Sequence, residues 1–316
     1  MKPLTLDPGR IDLSDERYRT SPPGPLDKLV ASLRAVGLLP PPLVSREGER
    51  RVIVSGWKRV LASRMMGLSP IEVMDTEEPD GLKNFLLGFL DNLAARPMGL
   101  VEKAEALSRL AAFGESREAI LRDTMPLLDL ARNADLLQAY IDIAGFEPEI
   151  KKGIEEQAIP LAVARGLIPF IREDRAAIFP HLLPLGRNKQ KEVLENLQEI
   201  CRRDGRAAVE VLSLDPFRAI GLKEQLSPLQ KSELLRRELF RMRYPAYSRQ
   251  REGFEEARRG LDLPPEVGLE PAPFFEKNEV NVSFRVKSPA ELRSILVRLG
   301  NLASDEHLQK IFYWMD

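Results

Sequence analysis

Short apolar runs and amphipathic segments alternate along residues 1–96, which predicts a small mixed α/β module. Apolar residues recur at helical spacing over residues 26–36, and Gly37 is typical of a helix end. The β-branched runs at 43–44 and 52–54 flank a polar turn and predict a hairpin. Further strands are predicted at 4–13 and 70–74, and a second helix from Lys58 to Gly67.

From Gly81 onward the pattern is helical almost without interruption. The segment 82–93 is apolar on most faces, which predicts a largely buried helix. Shorter amphipathic helices follow at 100–113, 117–128, 131–144, 147–157, 161–171, 188–204 and 207–212. Short helices with short connections predict a packed all-α domain.

The last segment has a different pattern. A long arginine-rich helical stretch covers 228–259 and is interrupted at Tyr244-Pro245. Apolar and polar residues then alternate over 280–286, which predicts a half-buried strand with Phe274-Phe275 as its hairpin partner. Helices are predicted at 290–302 and 306–314. Because two strands are too few for a stable sheet, this tail should pair with a second copy or pack on the helical domain.

These patterns predict an α+β fold of three parts. The first is a mixed α/β domain over residues 1–96, and the second is a helical domain over 97–226. The third, 227–316, combines the arginine-rich helix with a small α/β tail that is a candidate dimerisation region. A chain of 316 residues is long enough for this division.

The amino-acid composition limits which ligands and which cellular compartment we expect for this protein. The formal net charge is −1, so nucleic acid would have to be bound by local basic patches. The lone Cys201 excludes an internal disulfide, and His181 and His307 are far apart, so a metal site built on them is not expected. Without a signal-like or membrane-spanning stretch, we expect a cytoplasmic protein in a reducing compartment.

The turn between the strand at 52–54 and the next helix carries the most informative chemistry. Gly56 allows backbone N–H groups to approach a ligand, and the helix start adds partial positive charge. Lys58 and Arg59 add two full charges, so the turn suits phosphate. The alternative is an ordinary strand-to-helix turn with a solvated basic pair.

Residues 29–44, 54–63 and 91–104 follow one another in an order and spacing that resemble the motifs of the ParB-like family. Residues 29–44 read LVASLRAVGLLPPPLV, a helix ending in Gly-Leu before a proline-bearing strand. Residues 54–63 read VSGWKRVLAS and are similar to the family's Gly-Glu-Arg-Arg-x-x-Ala motif. Residues 91–104 read DNLAARPMGLVEKA and are similar to its Glu-Asn-x-x-Arg motif with a downstream Glu-x-Ala. The resemblance continues to about Phe170.

This resemblance implies a nucleotide-binding fold related to sulfiredoxin, with CTP and magnesium as cofactors, slow hydrolysis and a DNA clamp switched by the nucleotide. It implies that Gly56 holds phosphates through its backbone, that Lys58 and Arg59 neutralise them, and that Asp91 approaches the metal. Asn92 would order the triphosphate contacts and Arg96 would add a guanidinium. No catalytic residue is assigned.

The chain departs from the family's motifs at the positions Pro40, Trp57, Lys58 and Asp91. Lys58 binds phosphate as a point charge, and the shorter Asp91 would reach a metal through water. We therefore expect the cleft to bind phosphate with an altered affinity or nucleotide preference. Binding of a nucleotide is better supported than its hydrolysis.

The resemblance places a helix-turn-helix in residues 117–128 and 131–144. In the second helix Arg132, Asn133 and Gln138 can read base edges. Asp135 and Asp142 would repel phosphates, so a plain structural helix is the alternative.

The arginine-rich stretch is a second candidate for DNA contact. Arg236, Arg237, Arg241 and Arg243 begin it, and aromatic residues are interleaved with them. Interspersed glutamates favour the alternative of a solvated helix crossed by ion pairs.

The leading interpretation is a ParB-like DNA-binding protein that acts in chromosome or plasmid segregation. We expect it to be a homodimer, with a partition ATPase as a further candidate partner. We do not expect it to bind a membrane. The first alternative is a regulatory or interaction module that keeps the fold without nucleotide turnover. A nuclease ranks last, because no cluster of carboxylates or histidines suits a metal-dependent phosphodiesterase.

Overall fold

The computed structural model describes residues 1–20, 24–77, 80–261, 263–302 and 305–315. The chain divides into two compact units, Met1–Lys191 and Glu192–Asp316. The two units do not test the predicted boundaries at 96/97 and 226/227, which stay predictions. The combination of one five-stranded sheet with many helices confirms the predicted α+β class.

A five-stranded mixed sheet organises the start of the first unit. Its strands are β1 (Lys2–Leu6), β2 (Ile11–Asp12), β3 (Leu43–Glu47), β4 (Arg50–Ser55) and β5 (Ile71–Asp75), in the order β1-β5-β3-β4-β2. The predicted hairpin is confirmed, since β3 and β4 pair antiparallel around a turn at Gly48. β5 runs parallel to β3 and antiparallel to β1.

The single strand predicted over 4–13 is wrong in its middle. Pro8 cannot donate a ladder hydrogen bond, and it starts a short 3-10 helix, Pro8–Arg10, that Asp7 caps at the Gly9 N–H. The chain therefore leaves the sheet after β1 and returns on its opposite edge as β2.

Three helices pack with this sheet: α1 (Asp27–Val36), α2 (Trp57–Met65) and α3 (Gly81–Ala95). The predicted ends at Gly37 and Gly67 are confirmed, and both glycines have positive φ angles. The sheet core contains buried aliphatic side chains, among them Val44, Ile53 and Val73.

Helix α3 is only half-buried, so the prediction of a largely buried helix is wrong. It buries Phe85, Gly88 and Phe89, whereas Leu90 is exposed. A Cβ atom on Gly88 would lie 2.3 Å from the carbonyl oxygen of Val54, which shows how closely the helix lies on β4. Only one apolar stripe of α3 packs on the sheet, because a helix can bury only one of its sides against a flat surface.

The rest of the first unit is helical, as predicted. It contains α4 (Leu100–Ala112), α5 (Arg117–Ala119), α6 (Met125–Leu127), α7 (Ala134–Ala144), α8 (Pro148–Glu155), α9 (Leu161–Leu167) and α10 (Arg172–Leu182). A π-helical turn, Ile120–Thr124, joins α5 to α6. Helix α10 was not predicted, because its charged start and internal Pro180 hide its apolar face.

Helix α11 (Arg187–Asp204) spans the division between the units. The second unit continues with α12 (Ala208–Leu212), α13 (Asp215–Gly221), α14 (Pro228–Arg243) and α15 (Pro245–Gly260). It ends with β6 (Val267–Pro271), a 3-10 helix (Pro273–Phe275), β7 (Val280–Phe284), α16 (Pro289–Leu302) and α17 (Glu306–Tyr313). The break predicted at Tyr244-Pro245 is confirmed.

Two predictions about the C-terminal strand are wrong. Strand β7 pairs with β6, and the predicted partner Phe274-Phe275 lies in the 3-10 helix, where both residues have positive φ angles. The strand is also more exposed than expected, with Val282 44% and Phe284 36% accessible. The hydrophobic core of this region contains Leu269 of β6, which packs with Phe254, Phe275 and Ile311.

None of the helices in the described residues combines the length and the apolar character that a membrane span requires.

Candidate functional site

The basic turn is built where β4 ends at Ser55 and α2 begins at Trp57. Gly56 caps this helix in a left-handed conformation, with φ 91° and ψ 27°. A Cβ atom here would lie 3.1 Å from the Cα atom of Pro42, so both conformation and space select glycine. No side chain caps the start of α2, which leaves its first backbone N–H groups available to an anion.

The turn forms one side of a cleft of about 370 Å³. All six residues predicted for nucleotide and metal contact line this cleft: Gly56, Lys58, Arg59, Asp91, Asn92 and Arg96. They come from α2, from α3 and from the residues Gly56 and Arg96 that cap these two helices. The remaining lining combines Arg19 and Thr20 with apolar residues of and after α1.

Lys58 is the most available cation of the cleft. Its side chain is exposed, and it has no hydrogen bond and no ion pair within the described ranges. A Cβ atom on Gly24 would lie 3.0 Å from its Nζ atom, so the ammonium group lies beside the segment that leads into α1. A cation without such a partner is free to bind phosphate.

Arg59 is held in place by the protein itself. Its Nη1 atom donates to the carbonyl oxygens of Pro40, at 2.5 Å, and Pro41, at 3.3 Å, while Nη2 lies 3.5 Å from Oδ2 of Asp91. Burial lowers the pKa of Arg59, and the neighbouring Asp91 opposes that shift. The guanidinium therefore has a fixed orientation at the edge of the cleft.

Asp91 is the only carboxylate among the residues that line the cleft. Its Oδ2 atom accepts a hydrogen bond from the Ser55 hydroxyl, which joins the end of β4 to α3. The side chain remains 41% exposed. Within the described residues no three His, Cys, Asp or Glu side chains form a metal-binding group. A magnesium ion here would thus take one protein carboxylate and complete its oxygen shell with phosphate and water.

Asn92 and Arg96 already have partners. The Nδ2 atom of Asn92 donates to Gly88 O at 2.8 Å and to Thr20 Oγ1 at 3.0 Å. Both guanidinium Nη atoms of Arg96 bind the carboxylate of Glu102, with Nη1 at 2.8 Å from Oε2. Asn92 therefore orders the cleft, and Arg96 can meet a phosphate only in competition with Glu102.

Two cleft residues were not found from the sequence. The Arg19 guanidinium lies 5.1 Å from the ring centroid of Trp57, a cation–π distance, and Thr20 accepts the hydrogen bond from Asn92. Both precede α1 in a segment that has no periodicity and no motif, so the sequence offered no signal for them.

No protein-family model matches the sequence. A curated relative, the chromosome-partitioning protein Spo0J of Thermus thermophilus, is 29% identical over 201 residues, which are 62% of this chain and 71% of the relative. This match and the three motifs that meet at the cleft support the resemblance to ParB-like partition proteins.

Solved structures of Caulobacter crescentus ParB are also similar. One, complexed with CTP-γ-S, is 20% identical and covers 54% of this chain and 93% of its own, with a TM-score of 0.27. Another, complexed to the centromeric parS site, is 18% identical and covers 61% of this chain and 97% of its own, with a TM-score of 0.30. At these scores neither structure contributes to the assignment.

The predicted recognition helix begins three residues later than expected. Helix α7 starts at Ala134, and Asn133 caps it by accepting a hydrogen bond from Leu136 N at 2.7 Å. Arg132 precedes the helix and is exposed. Gln138 is exposed too, but it accepts from Arg117 Nη1 at 3.1 Å and donates to Asp142 at 3.0 Å.

The arginines of α14 divide into paired and open side chains. Arg236 contacts Glu192 at 2.8 Å and Glu233 at 3.1 Å, and Arg243 donates to Asn196 at 3.0 Å. Arg237 is exposed, and Arg241 has one ion pair, 3.6 Å from Glu252. The ion pairs of the alternative interpretation are therefore present for part of this stretch.

Proposed function

We propose that this protein acts in chromosome or plasmid partition, binding CTP with magnesium in the cleft at Gly56 and binding DNA through its helical region. The observation that supports it best is the convergence of all six motif residues on one cleft that contains a left-handed glycine and an available lysine. The similarity to ParB-like chromosome-partitioning proteins supports the nucleotide and the DNA as ligands.

Different residues of the cleft would bind the phosphates and the metal ion. Lys58 and the uncapped start of α2 would bind phosphate oxygens, and the oriented Arg59 would fix the position of Asp91. Asp91 would hold magnesium, which when bound screens the charge of the phosphates. Trp57 and Lys58 stand where the family has Glu and Arg, and this favours binding over hydrolysis.

One titration tests the nucleotide proposal. Calorimetry with CTP and magnesium, with ATP and GTP as comparison ligands, should show saturable binding of CTP by the full chain. Lys58→Ala should weaken it about tenfold, near 1.4 kcal/mol, because one phosphate contact is lost. Asp91→Ala should remove the dependence on magnesium. Arg10→Ala, which removes an exposed cation outside the cleft, should change nothing.

No binding of any nucleotide by the intact chain would overturn this proposal. It would favour the second candidate, an interaction module that keeps the fold. A specific observation supports that candidate, since Arg59, Asn92 and Arg96 already have partners in the protein. Phosphate release, measured separately, distinguishes binding from slow hydrolysis.

DNA binding is proposed through Arg132, Asn133 and Gln138, with Arg237, Arg241 and the ion-paired Arg236 and Arg243 as backbone contacts. For Gln138 to read a base, its bonds to Arg117 and Asp142 must open. Retention on duplex DNA across a salt series should fall steeply if phosphates carry the binding. Arg132→Ala should lower retention on a partition site more than on random DNA, and equal losses would assign Arg132 to the backbone.

We also propose that the protein is a homodimer held by its C-terminal region. Apolar side chains of β7 and α16 are exposed: Val282, Phe284, Leu296 and Val297. Beside them lies an apolar cavity of about 340 Å³ lined by leucines and by Val282 and Phe284. A partition ATPase and a cytoplasmic location stay predictions.

A further inference from the structure

The second unit contains a cleft of about 590 Å³ between α13, α14 and α15, whose apolar interior the proposed function leaves without a role although Arg237 and Arg241 at its edge are proposed DNA contacts. Its apolar lining includes Ile220, Leu234, Phe240 and Tyr247. The Nζ atom of Lys231 donates to the carbonyl oxygen of Gly221 at 2.8 Å, which fixes the end of α13 against α14. The cleft is therefore formed before any ligand binds.

Cations outnumber carboxylates in the lining of this cleft by four to two. Arg251 is paired, with Glu255 at 3.6 Å and the Tyr247 hydroxyl at 3.4 Å. The side chains of Lys223 and Arg237 have no hydrogen bond and no ion pair in the described part of the chain. Arg241 has one ion pair, 3.6 Å from Glu252, with both side chains more than half exposed, so the pair is weak. Arg236, which lies outside the cleft, is by contrast neutralised by two glutamates.

An apolar floor with a cationic rim suits one class of occupant. Duplex DNA presents phosphates on its outside and keeps its apolar groups within its grooves, so it can contact the arginines at the edge but cannot fill the apolar floor, and Glu238 and Glu252 oppose its entry. A nucleotide would bind better to backbone N–H groups, whereas the side chains of helices line this cleft. An amphipathic helix with carboxylates beside its apolar stripe matches both the floor and the rim.

We propose that this cleft is a docking site for an acidic amphipathic helix of a partner protein. Its apolar side chains would fill the floor between Ile220 and Phe240, and its carboxylates would pair with Lys223, Arg237 and Arg241. The site belongs to the second unit alone, so the proposal is independent of nucleotide binding in the first.

Fluorescence polarisation with a labelled synthetic peptide tests the proposal. The peptide spans about four helical turns, with leucines at helical spacing and glutamates on both sides of the leucine stripe. The full chain should bind it saturably. Arg237→Glu combined with Arg241→Glu should weaken binding at least about tenfold, because attraction becomes repulsion. Arg249→Glu, an exposed position of α15 outside the cleft, should leave it within about twofold.

Two control peptides distinguish the contribution of the apolar floor to binding from that of the cationic rim. A peptide with lysines in place of glutamates should not bind, and one with its leucines spread over all faces should bind more weakly. The proposal is overturned if the designed peptide does not saturate or if Arg249→Glu weakens it equally. It is also overturned if the double variant loses DNA retention while it keeps peptide binding. Unchanged thermal melting of the variants excludes unfolding as the cause.

Discussion

The carboxylate of Glu102 binds the guanidinium of Arg96 at two points, and one of them joins Oε2 to Nη1 at 2.8 Å. Burial raises the pKa of Glu102, but the hydrogen bonds from Arg96 and from Gly99 N bring it below its ordinary value. The pair is therefore charged at neutral pH. It competes with any phosphate that approaches Arg96.

Replacing Glu102 by glutamine should raise the affinity of the first cleft for CTP and magnesium by about three- to tenfold, or about 0.7–1.4 kcal/mol. Glutamine is also a suitable capping residue, so the bond to Gly99 N can persist while the charge is lost. Calorimetry measures the change. The control is Glu105→Gln, whose carboxylate pairs with Lys151 at 3.1 Å. Unchanged or weaker binding in Glu102→Gln would show that Arg96 takes no part.

Gly56→Ala should destabilise the protein by about 2–3 kcal/mol, because a positive φ and a crowded Cβ position act together. Gly67→Ala is the matched control at the other end of α2. Its φ is 65° and nothing lies within 4 Å of its Cβ position, so it should cost only about 1 kcal/mol. Urea unfolding of both variants measures the difference. Equal losses would mean that contact with Pro42 contributes nothing.

The Glu147–Arg175 pair should contribute stability that depends on pH. Arg175 Nε and Nη2 donate to the Glu147 carboxylate at 3.0 and 2.7 Å, and both side chains are largely buried. These bonds lower the pKa of Glu147 below the ordinary value of a glutamate, with burial opposing. The stabilisation is therefore complete above that value and is lost as the pH falls through the lower folded-state pKa.

Glu147→Gln should cost about 1–3 kcal/mol at neutral pH, and the gap to the wild type should close in acid. Thermal or urea unfolding across a pH series measures it. Glu173→Gln, at an exposed position of α10, should show no such dependence. A gap that stays constant down to acid pH would exclude ionisation of Glu147 as its source.

Phe284→Lys should convert the proposed homodimer to a monomer, because it places a charge on the exposed apolar face of β7. Sedimentation velocity at several concentrations measures the change. Ser283→Lys, on the alternate face of the same strand, should leave the dimer intact. A wild-type chain that stays monomeric at all concentrations would contradict the dimer.

The strand–turn–helix at residues 50–65 could be predicted because its signals are local. β-branched residues favour the strand, and glycine is needed where φ is positive. Strand β6 could not be predicted, since Gly268 and Pro271 oppose strand formation, and the strand is stabilised by pairing with β7 and by burial of Leu269. The cleft residues could be named from motifs. The pairing of Arg96 with Glu102 and of Asn92 with Thr20 could not be predicted, because it depends on tertiary packing that the hydrophobic pattern of the sequence does not reveal.

The contact between Gly88 and the backbone of Val54 limits how the first cleft can move. It locks α3, which carries Asp91 and Asn92, onto the strand that leads into the phosphate turn. A hinge between those two elements would have to separate a helix and a strand that lie at backbone distance. Any change in the width of this cleft would therefore have to come from the opposite side, where Arg19 and Leu39 line it.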